Sequence, residues 1–227
     1  MSQIKYGLVS SVDASVLERT IDLICGQFQD DVINVTEIGV YGGLTSKGIF
    51  DYVTSKMFYI DASGRNYSAG GGKPYKCSIT GIDSLKDGET IRYFPAEGEV
   101  IIGNSTEVYN QLGDESQHLI FVDGDHSYIG VIGDFFAYKA KVKKGGFFCF
   151  HDTGEHIEKF KDFQHGDKEN PDSYISVRKA LGAIGLFQTM KVRAFQPAYT
   201  GNKEWELVFD EADTENPAGG ITVFRKL

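Results

Sequence analysis

Two uninterrupted apolar segments, "LIFV" (119–122) and "FFCF" (147–150), constrain the fold of this chain more than any other feature. A strand with one face in water alternates apolar and polar residues, whereas a strand covered on both faces reads as a continuous apolar run. A helical pattern over 132–142 separates the two segments. Strands that alternate with helices form a mostly parallel sheet with helices on both faces. The sequence therefore predicts an α/β fold with these two segments at its centre.

Both central strands end in acidic and imidazole side chains. The first is followed by Asp123, Asp125 and His126, and the second by His151 and Asp152. Ligands of open parallel sheets bind beyond the carboxyl ends of the strands. We therefore expect these side chains to lie at a functional site.

The rest of the chain extends the alternation into one domain over residues 1–227, a length that suits a single substantial domain. The Gly-rich tract over 58–74 is predicted to be an insertion loop. The helical segment within 1–30 is either a lid over a ligand or a plain packing helix. Two closing strands, near 186–196 and 219–227, should form an antiparallel hairpin at one edge. The other predicted elements are helices at 12–25 and 173–185, strands at 33–41, 75–83, 118–125 and 146–152, a strand, turn and short helix over 98–112, and a helix end at 143–146.

The charge balance argues against nucleic acid as a partner. The formal net charge is −9 and the pI is about 5.0, whereas nucleic-acid binding favours a basic face. No apolar run is long enough to span a bilayer. The three cysteines lack metal-ligand spacing, which is typical of reduced thiols inside a cell. We therefore expect a cytoplasmic protein with a small-molecule partner and with neither a nucleic-acid nor a membrane partner.

The turn "EIGVYGGLTS" follows a strand pattern and opens a helical one. It contains Glu37, Gly39, Gly42 and Gly43. Glycines allow a ligand to approach the backbone closely, and a helix N-terminus offers free N–H groups. The dinucleotide fingerprint G-x-G-x-x-G is absent, which disfavours a nicotinamide-dependent oxidoreductase. The turn predicts a ligand site, with a tight turn that binds nothing as the alternative.

The chain resembles the class I S-adenosylmethionine-dependent methyltransferases in five segments taken in order, "EIGVYGGLTS", "ITGID", "IIGNSTEV", "FVDGDHSYIGVIGDF" and "KKGGFFCFHDTG". The last two resemble a subgroup of small-molecule methyltransferases in which "DGDHSY" precedes a Gly-Gly turn and "HDT". The resemblance covers about residues 33–155. It implies a single Rossmann-like domain with a seven-stranded, mostly parallel sheet and an antiparallel edge hairpin, and S-adenosylmethionine as the cofactor.

In such a methyltransferase the loop from Gly39 to Gly43 would pass under the methionine part of the cofactor. Glu37 would lie near the amino group of that methionine. Asn104 matches the position that contacts adenine in relatives, although many of them have Asp there, and an ordinary turn residue is the alternative. The cofactor-binding residues that the resemblance implies are Glu37, Gly39, Tyr41, Gly43, Asp83, Asn104, Ser105 and Asp123.

The acid that binds the ribose hydroxyls has two candidates. Asp83 ends the strand "SITGID", and Asp61 lies in "FYIDAS". Asp61 follows Gly43 by 18 residues and Asp83 follows it by 40, and the usual interval of about 20 residues in nucleotide-binding units favours Asp61. We prefer Asp83, because its strand is longer and the next strand follows at a normal distance.

Asp123 and Asp152 end neighbouring strands, which lie about 4.8 Å apart in a sheet. Two such carboxylates can share a hard divalent cation such as Mg²⁺. In the catechol-type and sugar O-methyltransferases that the chain resembles, acids at these positions bind Mg²⁺ and orient the substrate hydroxyl. The third ligand there is an Asp or Asn beside the second acid, whereas Asp152 has His151 and Thr153 as neighbours. The resemblance thus implies Asp123, Asp152 and Thr153 as metal ligands for Mg²⁺ or another divalent cation, and a metal-free site is the alternative.

His126 and His151 are the candidate bases, because an imidazole with a pKa near 6.5 can accept the proton of a hydroxyl at neutral pH. His126 alternatively caps the next helix. With Asp123, these two residues are the predicted catalytic group. The predicted function is methyl transfer from S-adenosylmethionine to a small-molecule hydroxyl. A metal-independent N- or O-methyltransferase and a non-catalytic S-adenosylmethionine-binding protein are the alternatives, and a homodimer is compatible with each.

Overall fold

A computed structural model describes residues 9–28, 30–58, 73–84, 91–154, 177–186, 202–212 and 219–227. The helices are α1 (Ser11–Gln27), α2 (Leu44–Ser55), α3 (Ser105–Val108), α4 (Tyr128–Tyr138) and α5 (Val177–Ala183). The strands are β1 (Val32–Ile38), β2 (Met57–Phe58), β3 (Lys73–Pro74), β4 (Lys76–Asp83), β5 (Glu99–Ile102), β6 (Gln117–Val122), β7 (Val142–His151), β8 (Trp205–Ala212) and β9 (Gly220–Lys226).

Seven of these strands form one sheet in the order β5-β4-β1-β6-β7-β9-β8. The five strands from β5 to β7 run parallel, and β9 is antiparallel to both of its neighbours. The sheet therefore has the predicted α/β architecture, mostly parallel with an antiparallel hairpin at one edge. The strand order reverses between β1 and β6, and open α/β sheets bind ligands at such a reversal.

Side chains of the central strands alternate between two cores, one on each face of the sheet. Leu119 and Phe121 of β6 pack in the core under α1 and α2, whereas Ile120 and Val122 pack in the core under α4 and α5. Strand β7 continues the same alternation, with Phe147 opposite Leu119. Because both faces are covered by helices, a polar side chain on either face would need a buried partner. This explains the continuous apolar runs in the sequence.

Helix α1 begins with a capping box. The Ser10 N–H donates to Asp13 Oδ2 at 3.2 Å, and the Asp13 N–H donates to Ser10 Oγ at 3.2 Å. Farther along, the helix buries Val16, Leu17 and Ile21 in the core. The described part of the N-terminal segment is thus a packing helix whose first turn reaches the carboxyl end of β7. No helix in the described ranges is long and apolar enough to cross a membrane.

Two predicted boundaries are wrong near the centre of the chain. Helix α4 begins at Tyr128 and ends at Tyr138, earlier than the predicted 132–142. The segment 143–146 lies inside β7 and does not end a helix. The pairing of β6 with β7 is irregular between Gln117 and Leu119, and Gly145 there has a φ of +80°. Gly145 therefore lies at an irregularity of the sheet, where the backbone conformation favours a glycine.

The hairpin at the edge uses a different strand from the predicted one. Strand β9 pairs with β8, which begins at Trp205, and the predicted strand near 186–196 lies outside the described residues beyond Leu186. Trp205 is buried in the core under α4 and α5, and this packing directs β8 onto the sheet. The predicted insertion is flanked by the short pair β2 and β3. Residues 59–72, with Asp61 among them, lie outside the described residues.

Candidate functional site

A cleft of about 790 Å³ opens at the carboxyl ends of β1, β4, β5 and β6, beside the first turns of α4. Four carboxylates contribute to its lining, those of Asp83, Asp123, Asp125 and Asp134. The predicted cofactor residues that line the cleft are Gly39, Tyr41, Asp83, Asn104, Ser105 and Asp123. Its lining does not include Glu37 or Gly43. The fold therefore brings most of the predicted cofactor residues together in one acidic cleft.

Asp83 ties the glycine turn to the end of β4. Its Oδ2 accepts hydrogen bonds from the Val40 N–H at 2.9 Å and the Tyr41 N–H at 2.7 Å. Tyr41 has a φ of +48°, a left-handed conformation that is rare for a bulky residue. Its ring is 74% exposed, so the Asp83 carboxylate and not side-chain packing holds this backbone. A carboxylate offers about four acceptor sites, so Asp83 can also accept hydrogen bonds from a ligand in the cleft.

The glycines of the turn are required by neighbouring backbone, and Gly39 also lines the cleft, so their place under a ligand stays a prediction. Gly39 has a φ of +88°, and an added Cβ would lie 2.3 Å from the carbonyl oxygen of Asp123. Gly43, with a φ of +80°, begins α2, and an added Cβ would lie 2.5 Å from the backbone nitrogen of Phe94. Both glycines allow β1 and α2 to pack closely against adjacent segments.

Glu37 lies on β1 but is turned into the protein interior. It is 1% exposed, and Ser46 of α2 donates a hydrogen bond to its carboxyl group. Burial raises the pKa of Glu37 well above its usual range, an effect that the Ser46 hydrogen bond only partly offsets and that nearby Asp123 adds to. The predicted contact of Glu37 with a cofactor amino group therefore has no counterpart in the lining of the cleft.

Asn104 and Ser105 form the start of α3 at the far side of the cleft. Asn104 Oδ1 accepts from the Thr106 N–H at 3.0 Å and thus caps the helix. The Ser105 hydroxyl donates to Asp134, which is buried on α4. Burial raises the pKa of Asp134 to about 6, although the Ser105 hydrogen bond acts in the opposite direction. These contacts hold the start of α3 against α4 and leave Asn104 and Ser105 on the surface of the cleft.

Beside the cleft, four side chains meet where β6 and β7 end, and we call them the His–Asp cluster: Asp123, His126, His151 and Asp152. His151 Nδ1 lies 2.8 Å from Asp123 Oδ1 and 3.5 Å from Asp152 Oδ1. His126 Nε2 lies 3.3 Å from Asp123 Oδ1 and 3.7 Å from Asp152 Oδ2. Each imidazole therefore faces both carboxylates.

The turn after β6 positions His126 in this cluster. Asp125 Oδ1 accepts from the Ser127 N–H at 2.9 Å, and Ser127 Oγ accepts from the Gly130 N–H at 3.1 Å. Asp125 and Ser127 thus cap α4, while His126 makes its contacts in the His–Asp cluster. Asp152 has a φ of +53°, and left-handed residues of this kind concentrate at functional sites.

The pKa values of the residues in the His–Asp cluster are shifted in different directions. Burial raises the pKa of the Asp123 carboxyl, but the positive charge of His151 and the hydrogen bonds of both imidazoles outweigh burial and lower the pKa to about 2. Burial lowers the pKa of His151, but Asp123 and the hydrogen bonds to two carboxylates outweigh it and raise the pKa well above 6.5. For His126 the same balance also raises the pKa. Asp123 is therefore an anion, and His151 is a cation at neutral pH.

The structure adds one residue, Asp13, which the sequence analysis did not select for the site. Asp13 Oδ2 lies 3.1 Å from His151 Nε2, and the Asp13 side chain is 1% exposed. His151 is therefore held between a carboxylate of α1 and a carboxylate of β6. Sequence spacing gives no signal for this contact, because 138 residues separate the two partners.

The side chain of Thr153, the third predicted metal ligand, lies outside the His–Asp cluster in the described structure, and its role as a ligand stays a prediction. Its hydroxyl lies 2.9 Å from the hydroxyl of Thr222 on β9, and its N–H donates to the Gly220 carbonyl. Among the His, Cys, Asp and Glu side chains of the described residues, one group could jointly hold a metal ion, and its ligand atoms, from Asp123, His126 and His151, lie within 4.8 Å of one another. A metal at this site would thus have two imidazole nitrogens and one carboxylate oxygen as ligands.

The family model for a methyltransferase domain matches residues 36–153, which is just over half of the 227 residues. This range runs from the middle of β1 to the residue after Asp152 and therefore includes the cleft and the whole His–Asp cluster. No curated protein matches the chain by sequence.

Several solved structures share the fold. The O-methyltransferase TomG from Streptomyces achromogenes, in complex with SAM, is 12% identical with a TM-score of 0.58, and the match covers 96% of this chain and 81% of TomG. An O-methyltransferase from Bacillus cereus, in complex with SAH, is 13% identical with a TM-score of 0.56, and the match covers 98% of this chain and 84% of that one. The MycE methyltransferase from the mycinamycin biosynthetic pathway, in complex with Mg and SAH, is 15% identical with a TM-score of 0.52, and the match covers 93% of this chain and 48% of MycE.

Proposed function

The chain belongs to the methyltransferase-domain family, and from this premise we propose that it transfers the methyl group of S-adenosylmethionine to a hydroxyl of a small molecule. By family and by fold it is a class I S-adenosylmethionine-dependent methyltransferase. The observation that carries the choice of a hydroxyl is the position of His126. This partly exposed imidazole lies between two carboxylates beside the cleft, where a base for an oxygen nucleophile is needed.

The cleft fits the cofactor in size and in charge. A volume of about 790 Å³ is within the range of about 300–1,000 Å³ for small-molecule sites. S-adenosylmethionine supplies a methyl group bound to a positively charged sulfur, and the four carboxylates of the lining favour a cationic ligand. Asp83 would accept from the ribose hydroxyls, and Asn104 and Ser105 would lie along the adenine. Glu37 would act indirectly, by holding α2 through Ser46.

His126 would accept the proton of the substrate hydroxyl while that oxygen attacks the methyl carbon in line with the departing sulfur. Asp123 and Asp152 would stabilise the imidazolium that results, because both lie within 3.7 Å of His126 Nε2. The pKa of His126 is raised, against the effect of burial, by these carboxylates. Since a base must be neutral to accept a proton, turnover should increase with pH through a pKa above 6.5.

A divalent cation is a second feature that one observation favours. Asp123, His126 and His151 each offer a ligand atom within 4.8 Å of the others, and the similar structure of MycE contains Mg. Two imidazoles and one carboxylate suit Mn²⁺, Fe²⁺ or Zn²⁺ better than Mg²⁺. Such an ion would polarise the substrate oxygen. The ion would also occupy the imidazole nitrogen atoms that otherwise bond to carboxylates. The histidine base and the metal site are therefore two proposals that can be tested separately.

The test is release of S-adenosylhomocysteine from S-adenosylmethionine with paired acceptors, each pair having the same carbon skeleton with either a hydroxyl or an amine. We expect turnover with hydroxyl acceptors, and turnover with amines alone would contradict the proposal. Incubation with EDTA followed by addition of Mg²⁺, Mn²⁺ or Zn²⁺ tests the cation. Full activity in EDTA excludes the metal and leaves the His126 base in place. Full activity of both Asp123→Asn and Asp152→Asn would exclude the His–Asp cluster from the reaction.

A further inference from the structure

Asp13 is the only described residue with a buried side-chain oxygen that lacks a hydrogen-bond partner among the described residues. The atom is Oδ1, and the whole residue is 1% exposed. Its other oxygen, Oδ2, accepts from the Ser10 N–H and from the Ser10 hydroxyl. A buried oxygen without a partner costs about 1–3 kcal/mol. Capping α1 does not require this arrangement, because Ser10 is the N-cap and a neutral Gln at the position of Asp13 would also complete a capping box.

The same Oδ2 also faces His151 Nε2 at 3.1 Å. The opposite ring nitrogen, Nδ1, faces Asp123 Oδ1 at 2.8 Å. Asp123 Oδ1 is in turn 3.3 Å from His126 Nε2. A continuous series of hydrogen-bonded side chains therefore connects the first turn of α1 to the residue that we propose as the base.

A ring held at both nitrogens has one orientation, whereas a ring held at one nitrogen can rotate. At metal-ligating histidines, a carboxylate that holds the remote nitrogen orients the ring, and its loss typically reduces metal affinity or activity about 10- to 100-fold. Ser10 is present on the same helix and completes the same cap, but it makes no hydrogen bond to His151 in the described structure. The cap and the contact with His151 can therefore be tested separately.

We propose that Asp13 is a positioning residue for methyl transfer, which holds the His151 ring so that Nδ1 donates to Asp123 and keeps Asp123 oriented toward His126. This inference rests on the proposed role of His126 as the base. The N-terminal helix thereby becomes part of the reaction site without touching the cofactor or the substrate.

The first test observes the ring nitrogens directly and needs no substrate. The chain has five histidines, so ¹H–¹⁵N correlation spectra of the imidazoles at one neutral pH can be assigned with single-histidine variants. Asp13→Asn should shift the ring signals of both His151 and His126. Ser10→Ala, the matched control that removes one donor to Asp13 Oδ2 but keeps the carboxylate that faces His151, should shift both sets of signals much less. A His126 signal that does not move in Asp13→Asn, or equal shifts in both variants, would overturn the proposal.

The second test uses turnover with a hydroxylated acceptor. Asp13→Asn should lower kcat about 10- to 100-fold and leave the KM for S-adenosylmethionine unchanged, because Asp13 does not line the cleft. Ser10→Ala should lower the melting temperature and retain kcat. An equal loss of kcat in both variants would show that Asp13 acts only as a part of the helix cap. If Asp13→Asn does not fold, Asp13→Ser takes its place, since it removes both carboxylate oxygens and leaves Ser10 as the N-cap. A crystal structure of the wild-type protein in which His151 does not face Asp13 overturns the proposal whatever the variants do.

The two proposals fail in different ways. If His126→Gln retains full turnover while Asp13→Asn still shifts both rings, His126 is not the base and the positioning of the rings stands. If His126→Gln loses turnover and Asp13→Asn changes neither spectrum nor kcat, the base stands and the positioning role is wrong.

Discussion

The amino and carboxyl ends of the central strands each contain a buried imidazole, and the pKa values of the two imidazoles are shifted in opposite directions. At the amino end, His118 Nδ1 accepts from the Asn34 N–H at 3.0 Å, and Nε2 faces Asp30 at 2.9 Å. Burial lowers the pKa of His118, and the hydrogen bond to Asp30 does not overcome it. At the carboxyl end, the pKa of His151 is raised well above 6.5, although burial also disfavours its charge.

The difference indicates that burial prevails where the one nearby carboxylate is already paired, as at His118, and that carboxylates prevail where several face the ring, as at His151. Asp30 is half-exposed and already bonds to Lys143 at 2.6 Å, so its charge is largely neutralised before it meets His118. Asp13 and Asp123 face His151 from both sides, and Asp152 lies close by. The amino end is thus balanced in charge, whereas the carboxyl end concentrates carboxylates beside a cleft. This contrast supports the proposal that the chemistry takes place at the carboxyl end.

The largest expected effect compares the histidines at the two ends. His126→Gln should lower kcat about 10²- to 10⁴-fold, because it removes the proposed general base, while binding of S-adenosylhomocysteine by calorimetry stays intact. The matched variant His118→Gln should retain kcat, because its contacts with Asn34, Asp30 and Lys143 all lie at the amino end. Equal losses of kcat in the two variants would break the division between the ends.

A second prediction compares two glycines with the same φ of +80°. In Gly43→Ala the new Cβ would meet the backbone of Phe94 at the carboxyl end, whereas in Gly145→Ala it would meet the flexible amide of Gln27 at the amino end. Both variants should lose about 1–2 kcal/mol through left-handed strain. Gly43→Ala should lose about 1–3 kcal/mol more, because backbone cannot move aside as a side chain can. Urea denaturation measures both values, and equal losses would show that the Phe94 backbone yields.

Asp83 and Asp30 provide a third comparison, between an acid of the cleft and an acid of the opposite end. Asp83→Ala should weaken S-adenosylhomocysteine binding by about 1.5–3 kcal/mol, the value of a hydrogen bond to a charged group. Asp30→Ala should leave the dissociation constant unchanged. Isothermal titration calorimetry measures both. Normal binding by Asp83→Ala would shift the ribose contact to another acid, for which Asp61 is the candidate from the sequence.

The smallest effect is a pair of opposite pH dependences of the free energy of unfolding. The folded-state pKa of His151 is raised, so its stabilising contribution is complete below about 6.5 and is lost as pH rises through the folded value. The folded-state pKa of His118 is lowered, so the unfolded chain takes up the proton first and stability is lost as pH falls below about 6.5. Each slope is at most about 1.4 kcal/mol per pH unit.

Denaturation of the wild type, His151→Gln and His118→Gln between pH 5 and 8 isolates these slopes. His151→Gln should remove a slope on the alkaline side, and His118→Gln should remove one on the acidic side. Slopes of the same sign at the two positions would contradict the charge states on which the comparison depends.

Periodicity and the apolar runs were sufficient to predict the type of sheet and the end at which the site lies. The segments 119–122 and 147–150 have to be covered on both faces, because no polar side chain is present to meet water. Such local patterns also predicted β1, β4 and β5, and they placed Asp83 and Asp123 at strand ends. Local patterns did not predict the edge hairpin, because the position of β8 depends on the burial of Trp205 in a core whose other residues are distant in sequence.

The chemistry of the site was decided by contacts between residues far apart in the chain. The sequence predicted which acids and imidazoles would gather, but the direction of each side chain depends on its packing. Glu37 turns toward Ser46 and Thr153 toward Thr222, and neither direction follows from strand position alone. The raised pKa of His151 depends first on Asp123 and then on Asp13, from which 138 residues separate it. Electrostatic shifts fall off with distance and grow with burial, so only the tertiary structure, which sets both, could determine them.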